Sequence, residues 1–299
     1  MKAVLIDGEG AAPRVGDAPD PEGGDVVRVV AGSLNPIDVS TAAGRYPIKP
    51  SEFPYVAGKE GTGERADGSL VYFTTGGGHG PGGSFAERTV AGESFELPDG
   101  TDPARAAGLG IAGIAGWLAV EWRGEIRAGE RVLVLGASGV VGQVAVQAAR
   151  ALEAGAVVAA GRNKEAMREL GANAVVGLGS ADEIRCAFGG HGPDLVIDPL
   201  WGVPATAAID AAAPGARIVQ LGQSAGPAAE LASGPIRSKG LEIRGHTNFA
   251  VPPEVREAAY RRCLEEVTIE VERIPLDGVR GAWRRQEASP GGRKLVLVP

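Results

Sequence analysis

Val132-Leu133-Val134-Leu135-Gly136-Ala137-Ser138-Gly139-Val140-Val141-Gly142 sets four apolar residues ahead of three glycines spaced G-x-x-G-x-x-G. The apolar run reads as a buried parallel strand, and Gln143 to Arg150 then repeats Ala and Val at helical intervals. One glycine permits a tight strand-to-helix turn and another lets the backbone approach a pyrophosphate. The last lets helix and strand pack closely. N–H groups left free at the helix start, with the helix dipole behind them, attract phosphate oxygens. A chain with 47 glycines generates such spacings by accident, but here a strand precedes the pattern and a helix follows it. Gly136, Ser138, Gly139, Val140, Val141 and Gly142 are therefore the expected pyrophosphate cradle.

Working outward, Ala156 to Ala160 is a second short apolar run, followed by Gly161-Arg162-Asn163-Lys164. Arg162 stands 20 residues after Gly142, where an NAD site places an Asp or Glu on the ribose 2′-hydroxyl. An acid there repels a 2′-phosphate, whereas a guanidinium binds one through two parallel hydrogen bonds. Lys164 adds a second positive charge, with Asn163 between them. The alternative is that both cations are solvated loop charges. NADPH is the cofactor expected.

At 299 residues the chain holds two domains or one large α/β domain, and 44% hydrophobic content supplies a sizeable core. A net charge of −7 argues against a general affinity for nucleic acid and gives no reason to invoke anionic membranes. Cys186 and Cys263 form no C-x-x-C pair, which excludes a disulfide framework and a four-cysteine zinc lobe. The start, Met1 to Asp7, is too short in apolar character for a signal peptide, and no 18-residue apolar stretch exists. A cytoplasmic location is expected.

Residues 1 to about 95 read as β-rich, with strands at Val26–Val30, Leu70–Phe73 and Phe85–Val90. Thr101 and Asp102 before Pro103 mark a helix start, and Ala104 to Trp122 reads as one apolar helix. From Arg131, strands and helices alternate as in a doubly wound parallel sheet. Pro253–Leu264 and Val279–Arg285 read as helices and Lys294–Val298 as a closing strand. The expected architecture is α/β, a Rossmann sheet domain inserted into a discontinuous β-rich domain.

Several ordered stretches carry a resemblance across nearly the whole chain. They are Ser33 to Asp38, Gly44-Arg45-Tyr46, Gly58 to Gly63, Gly83 to Glu87, the glycine loop, Gly215 to Val219, Gly245 to Phe249 and Gly292 to Val298. On these the chain resembles the medium-chain dehydrogenase/reductase superfamily, and within it the zinc-free quinone oxidoreductase branch. The resemblance implies a GroES-like catalytic domain from residues 1–109 and 248–299, a Rossmann domain from 110–247, a nicotinamide in the cleft between them, and a homodimer. It also implies that Gly222, Gln223, Asn248 and Phe249 lie beside the nicotinamide, and that Arg293 or Lys294 reaches a cofactor phosphate.

Three departures from the family pattern stand out. Zinc-dependent relatives place a Cys within Asn35 to Asp38 and a His at Lys59; His79, His191 and His246 offer no ligand pattern, so no metal is expected. Between Glu60 and Phe85 the chain lacks a hairpin that relatives carry. Ala115 stands where they commonly have Thr near the nicotinamide.

Hydride transfer needs a group that stabilises or protonates a developing oxyanion. Tyr46 matches the Gly-x-Tyr site of the family and donates a hydrogen bond as a phenol; alternatively it walls the pocket. The Asn35 amide is a second donor, or simply the residue of an Asn-Pro turn. Lys59 is a cation over the oxyanion, or the partner of Glu60 or another acid. Asp198, before Pro199, reads as a turn former.

The expected activity is NADPH-dependent, zinc-independent hydride transfer to a small-molecule quinone or α,β-unsaturated carbonyl. An enoyl-thioester reductase is the enzyme alternative. A non-catalytic NADPH-binding protein, crystallin-like or partner-binding, is the alternative of another class.

Overall fold

The computed structural model describes residues 1–288 and 292–299. The chain opens with β1 (Lys2–Ile6), β2 (Arg14–Asp17), β3 (Asp25–Ser33), α1 (Pro36–Ala42), β4 (Tyr55–Val56), β5 (Glu60–Glu64), β6 (Leu70–Thr74), β7 (Arg88–Ala91) and β8 (Ser94–Glu96). Helices α2 (Pro103–Gly108) and α3 (Ile111–Val120) come next. Strict alternation follows, with β9 (Arg131–Leu135), α4 (Val140–Ala151), β10 (Ala156–Ala160), α5 (Lys164–Glu169), β11 (Ala174–Val176) and α6 (Ala181–Ala187). It continues through β12 (Leu195–Asp198), α7 (Gly202–Ala211), β13 (Arg217–Gln220), α8 (Ser233–Lys239) and β14 (Glu242–Gly245). The last elements are α9 (Pro253–Glu266), β15 (Val271–Pro275), α10 (Val279–Glu287) and β16 (Lys294–Val298).

Two compact units result, one from Met1–Ile111 with Ile269–Pro299, the other Ala112–Thr268. In the second, six parallel strands lie in the order β11-β10-β9-β12-β13-β14, with the order reversing between β9 and β12. Strands β9, β10 and β12 are almost wholly apolar because helices cover both faces. The first unit pairs the ends of the chain. Strand β16 runs antiparallel to β3 and parallel to β15, within a sheet that also holds β5, β6, β7 and β8. Strands β2, β1 and β4 form a second, three-stranded sheet.

Three expectations change. The second junction falls after Thr268 rather than at 247/248. Helix α9 packs on α4, the Gln147 amide brackets the Thr268 backbone with two hydrogen bonds of 2.9 Å, and the Arg262 guanidinium lies 4.9 Å from the Trp117 ring. A helix whose buried face is supplied by the doubly wound unit belongs to it. Ala104–Trp122 is not one helix but two, broken at Leu109-Gly110. A Cβ on Gly110 would sit 2.0 Å from Glu60 Oε2 and 2.3 Å from the Tyr72 ring, so the chain turns there around a buried polar cluster. The Phe85–Val90 strand begins only at Arg88; before it, Ala86 makes a single bridge to Ala3.

Candidate functional site

The second unit carries the glycine loop at the carboxyl ends of its strands. Gly136 adopts φ +61°, which ends β9 in a left-handed turn that favours glycine. A Cβ on Gly142 would lie 2.5 Å from Gly136 O and 2.6 Å from Ala137 Cα, so helix and turn touch backbone to backbone. Gly139 caps α4 without a side-chain hydrogen bond, which leaves the N–H groups of Val140, Val141 and Gly142 to a ligand rather than to a capping oxygen. Ser138 is half-buried, and its carbonyl accepts from Gln143 Nε2 at 3.0 Å, fixing the turn. These residues fit a pyrophosphate. Substituting Gly142 by Val drives Cβ into backbone that cannot yield; a urea melt is expected to show a loss of about 1–3 kcal/mol, with dinucleotide binding abolished in a fluorescence titration.

Arg162, Asn163 and Lys164 are exposed at the end of the neighbouring strand β10. Lys164 pairs with Glu183 at 3.7 Å, whereas Arg162 has no ion pair among the described residues. On the other side of the order reversal, Gly222 follows β13 and backs onto β12, where a Cβ would meet Pro199 O at 2.4 Å; Gln223 beside it is exposed. Asp198 forms the expected turn, its carboxylate accepting from the N–H groups of Leu200 and Trp201 at 2.9 and 2.8 Å. Asn248 and Phe249 lie in a short 3-10 turn of this same unit, with Phe249 72% exposed.

The polar candidates of the first unit fall into two networks. In one, Glu60 is fully buried, with Oε1 accepting from Asn35 Nδ2 at 2.7 Å and Oε2 from Tyr72 Oη at 2.8 Å and from the Ile111 N–H. Asn35 Oδ1 in turn accepts from Lys294 Nζ at 2.6 Å, and its second amide hydrogen goes to Ser33 O at 3.1 Å. Both amide hydrogens are thus spent internally, and Asn35 has none for a substrate oxygen. Lys294, the first residue of β16, is buried, and its ammonium is spent on Asn35 rather than left exposed for a phosphate. Burial pushes its pKa down, opposed by the charges of Glu60 and Asp38. Arg293 is exposed but paired with Glu270 at 2.8 Å.

Lys59 does not pair with Glu60. Its ammonium is enclosed in the second network, donating to Gly76 O at 2.9 Å, Gly77 O at 3.1 Å and His79 Nδ1 at 2.8 Å. All three hydrogens are used, so the direct cation-over-oxyanion role is lost as well. Burial lowers its pKa and Asp38 opposes that. Tyr46 is half-buried, its ring centroid 5.5 Å from that of His79, and its hydroxyl has no hydrogen-bond partner among the described residues. His79 and Tyr72 are not singled out by the sequence pattern; the only signal is the density of glycines around His79, which allows a loop to close tightly on a side chain.

Asp38 joins the two networks electrostatically. Its Oδ2 caps α1 by accepting from Asn35 N–H at 2.8 Å, while Oδ1 and the Tyr55 hydroxyl are buried without partners among the described residues. Burial raises the Asp38 pKa to about 7, against the pull of the Asn35 N–H and of Lys59. The folded state then holds a proton that the unfolded chain releases near pH 4. Stability is therefore expected to fall as pH rises from about 4 and to level off above about 7, a loss of the order of 2–4 kcal/mol. Asp38→Asn should flatten that slope in denaturant melts taken from pH 4 to 8; an unchanged slope would remove Asp38 as its source.

Comparison with known proteins places these features in a family. The family model described as zinc-binding dehydrogenase matches residues 140–265, a range that holds the glycine loop helix but neither Asn35 nor Lys59. A phenolphthiocerol/phthiocerol polyketide synthase of Mycobacterium tuberculosis is 33% identical over 221 residues, 68% of this chain. The chain spans about a tenth of the length of the polyketide synthases it matches, 10% for that protein. A quinone oxidoreductase of Lama guanicoe is 30% identical over 246 residues, 77% of this chain and 72% of that one. The solved structure of the quinone oxidoreductase from Thermus thermophilus superposes with a TM-score of 0.86 at 27% identity, covering 100% of both chains. Similarity sustained along most of one quinone oxidoreductase, and a fold shared with the whole of another, mean that this chain belongs to the zinc-free quinone oxidoreductase branch of the medium-chain dehydrogenase/reductase superfamily.

Proposed function

We propose that this protein is an NADPH-dependent, zinc-independent reductase that delivers hydride to a quinone or to the β-carbon of an α,β-unsaturated carbonyl. The observation that carries the reading is the glycine cradle at the start of α4, with the exposed Arg162 guanidinium at the end of the adjacent strand. The cradle fits a pyrophosphate and the guanidinium fits a 2′-phosphate. The Thermus thermophilus relative, solved in complex with NADPH, supports the same cofactor.

NADPH, when bound, supplies the hydride. A conjugated acceptor that takes hydride at carbon moves its π electrons onto oxygen, and that oxygen or the α-carbon then needs a proton. Of the three donor candidates in the first unit, Tyr46 alone keeps a free hydroxyl or amine hydrogen, since Asn35 and Lys59 are committed to internal bonds. We assign it the hydrogen bond to the developing oxyanion, with the proton coming from it or from water. The polyketide synthase relatives favour a second reading, reduction of an enoyl thioester, which is the same chemistry on a different carrier.

The order of the six-stranded sheet ends at β14, where Glu242, Ile243 and Gly245 are exposed. That edge suits pairing with a second copy, and light scattering tests it. No helix among the described residues is long and apolar enough to cross a membrane. Nucleotide oxidation is the deciding experiment, with NADPH beside NADH against quinones, enones and enoyl thioesters. NADPH-preferring turnover of one class selects among the reductases. Tight NADPH binding without turnover of any acceptor would leave a nucleotide-binding protein instead.

A further inference from the structure

We propose that Lys59 is a built-in cation that fixes His79 in one tautomer, and that His79 in turn holds the Tyr46–Ile48 segment in its working position. This deepens the reductase reading and rests on it for the role of Tyr46. Lys59 and His79 become positioning residues, acting through Tyr46 rather than on the substrate.

Donor counting fixes the tautomer. An ammonium has hydrogens to give and no lone pair, so His79 Nδ1, 2.8 Å from Lys59 Nζ, accepts. The ring hydrogen then sits on Nε2, which donates to Ile48 O at 2.8 Å. Burial and the Lys59 charge both lower the His79 pKa, against the pull of the Ile48 carbonyl, a direction in keeping with this arrangement. The same ammonium holds the carbonyls of Gly76 and Gly77, so one cation closes the glycine turn and orients the ring that the turn carries. Gly77 sits at φ +49°, and a Cβ there would lie 2.8 Å from Gly58 O and 2.9 Å from Lys59 Cγ, so the turn is wrapped directly on the lysine stem.

Across the clasp lies the 46–55 segment. It touches the glycine turn through Ile48 O on His79, Ser51 N–H on Gly78 O at 3.2 Å, the Tyr46 ring 5.5 Å from the His79 ring at 31°, and the Tyr55 ring against Gly78. Ile48 and Phe53 of the segment are exposed, apolar side chains on the same loop as Tyr46. One imidazole thereby links the two segments beside the Ser51–Gly78 bond, and one buried charge orients the imidazole. The charged groups around the ring are Lys59, in contact, and Asp38, which acts on Lys59.

The test reads the ring directly, without turnover. Nitrogen NMR of the ¹⁵N-histidine-labelled protein at pH 8 should show His79 with an unprotonated Nδ1 and a protonated Nε2. In Lys59→Met the ring loses its donor, and both tautomers should appear. The KM for the acceptor should rise about tenfold with the KM for NADPH unchanged. Lys59→Ala should behave likewise and be restored, in spectrum and in KM, by propylammonium, which replaces the missing carbons and charge. Should both lysine variants fail to fold, His79→Gln and His79→Ala replace them. Glutamine can accept from Lys59 and donate to Ile48 O, so it should keep the acceptor KM that alanine loses. A wild-type ring protonated on Nδ1, or Lys59 variants that leave the His79 signals unchanged, would overturn the clasp. Spectral changes as expected in a protein that reduces no acceptor would overturn the reductase reading and leave the clasp standing.

Discussion

Replacing Arg162 by glutamate is expected to raise the KM for NADPH by about 30- to 100-fold and to leave NADH nearly unaffected. The side chain is exposed at the carboxyl end of β10, on the strand next to the one that leads into the glycine loop. A 2′-phosphate held there makes charge-assisted hydrogen bonds, which are worth about 1.5–3 kcal/mol each to a charged partner. Glutamate removes them and adds repulsion, while it can accept from the 2′-hydroxyl of NADH. Lys164 cannot make up the loss fully, because Glu183 at 3.7 Å already shares its charge. Steady-state kinetics with both nucleotides decides the matter. If the preference does not move, the cofactor phosphate is bound elsewhere, and the assignment of NADPH to this loop is wrong.

The largest stability effect is expected from Lys294→Met. Lys294 is buried beside Asn35, and Asn35 hands its amide hydrogen to the fully buried Glu60. Methionine fills the space but leaves the carboxylate uncompensated, a loss of about 3–5 kcal/mol and roughly 6–15 °C in Tm. Glu60→Gln should cost a similar amount by stranding the ammonium. The double variant should cost less than the two losses added, because neither charge is then left alone. Strict additivity in thermal melts would mean that the two groups do not sense each other through Asn35. The network also explains the helix break, since Glu60 Oε2 accepts from the Ile111 N–H at the start of α3 and Gly110 makes room for it.

Local order was legible in the chain wherever one short segment carried the whole instruction. A run such as Val132 to Leu135 can only be a buried strand, a glycine at φ +61° directly after it can only turn, and Gly142 can only lie against that turn. Asp102 before Pro103 caps α2 as its residue types dictate, accepting from the Ala104 N–H at 3.1 Å. These features depend on neighbours in sequence, and the glycine turn at the start of α4 is made entirely of them.

The polar site was not legible in that way. Asn35, Lys59 and Lys294 stand out in the sequence as functional residues, yet what each side chain does is set mainly by partners distant in sequence, from 17 positions for Lys59 and Gly76 to 259 for Lys294 and Asn35. A free amide and an amide with both hydrogens spent are the same letter in the sequence. The same holds for a lysine that reaches a phosphate and one turned inward to Asn35. The junction at Thr268 followed the same rule, for only the packing of α9 on α4 decides which unit owns that helix. Sequence alone determined the strand order's building blocks, the glycine cradle and the charge beside it, because backbone sterics and local hydrogen bonding are enough for them. Tertiary structure alone decided which buried charges find each other, because a charge taken out of water is governed by whatever the fold brings within a few ångströms.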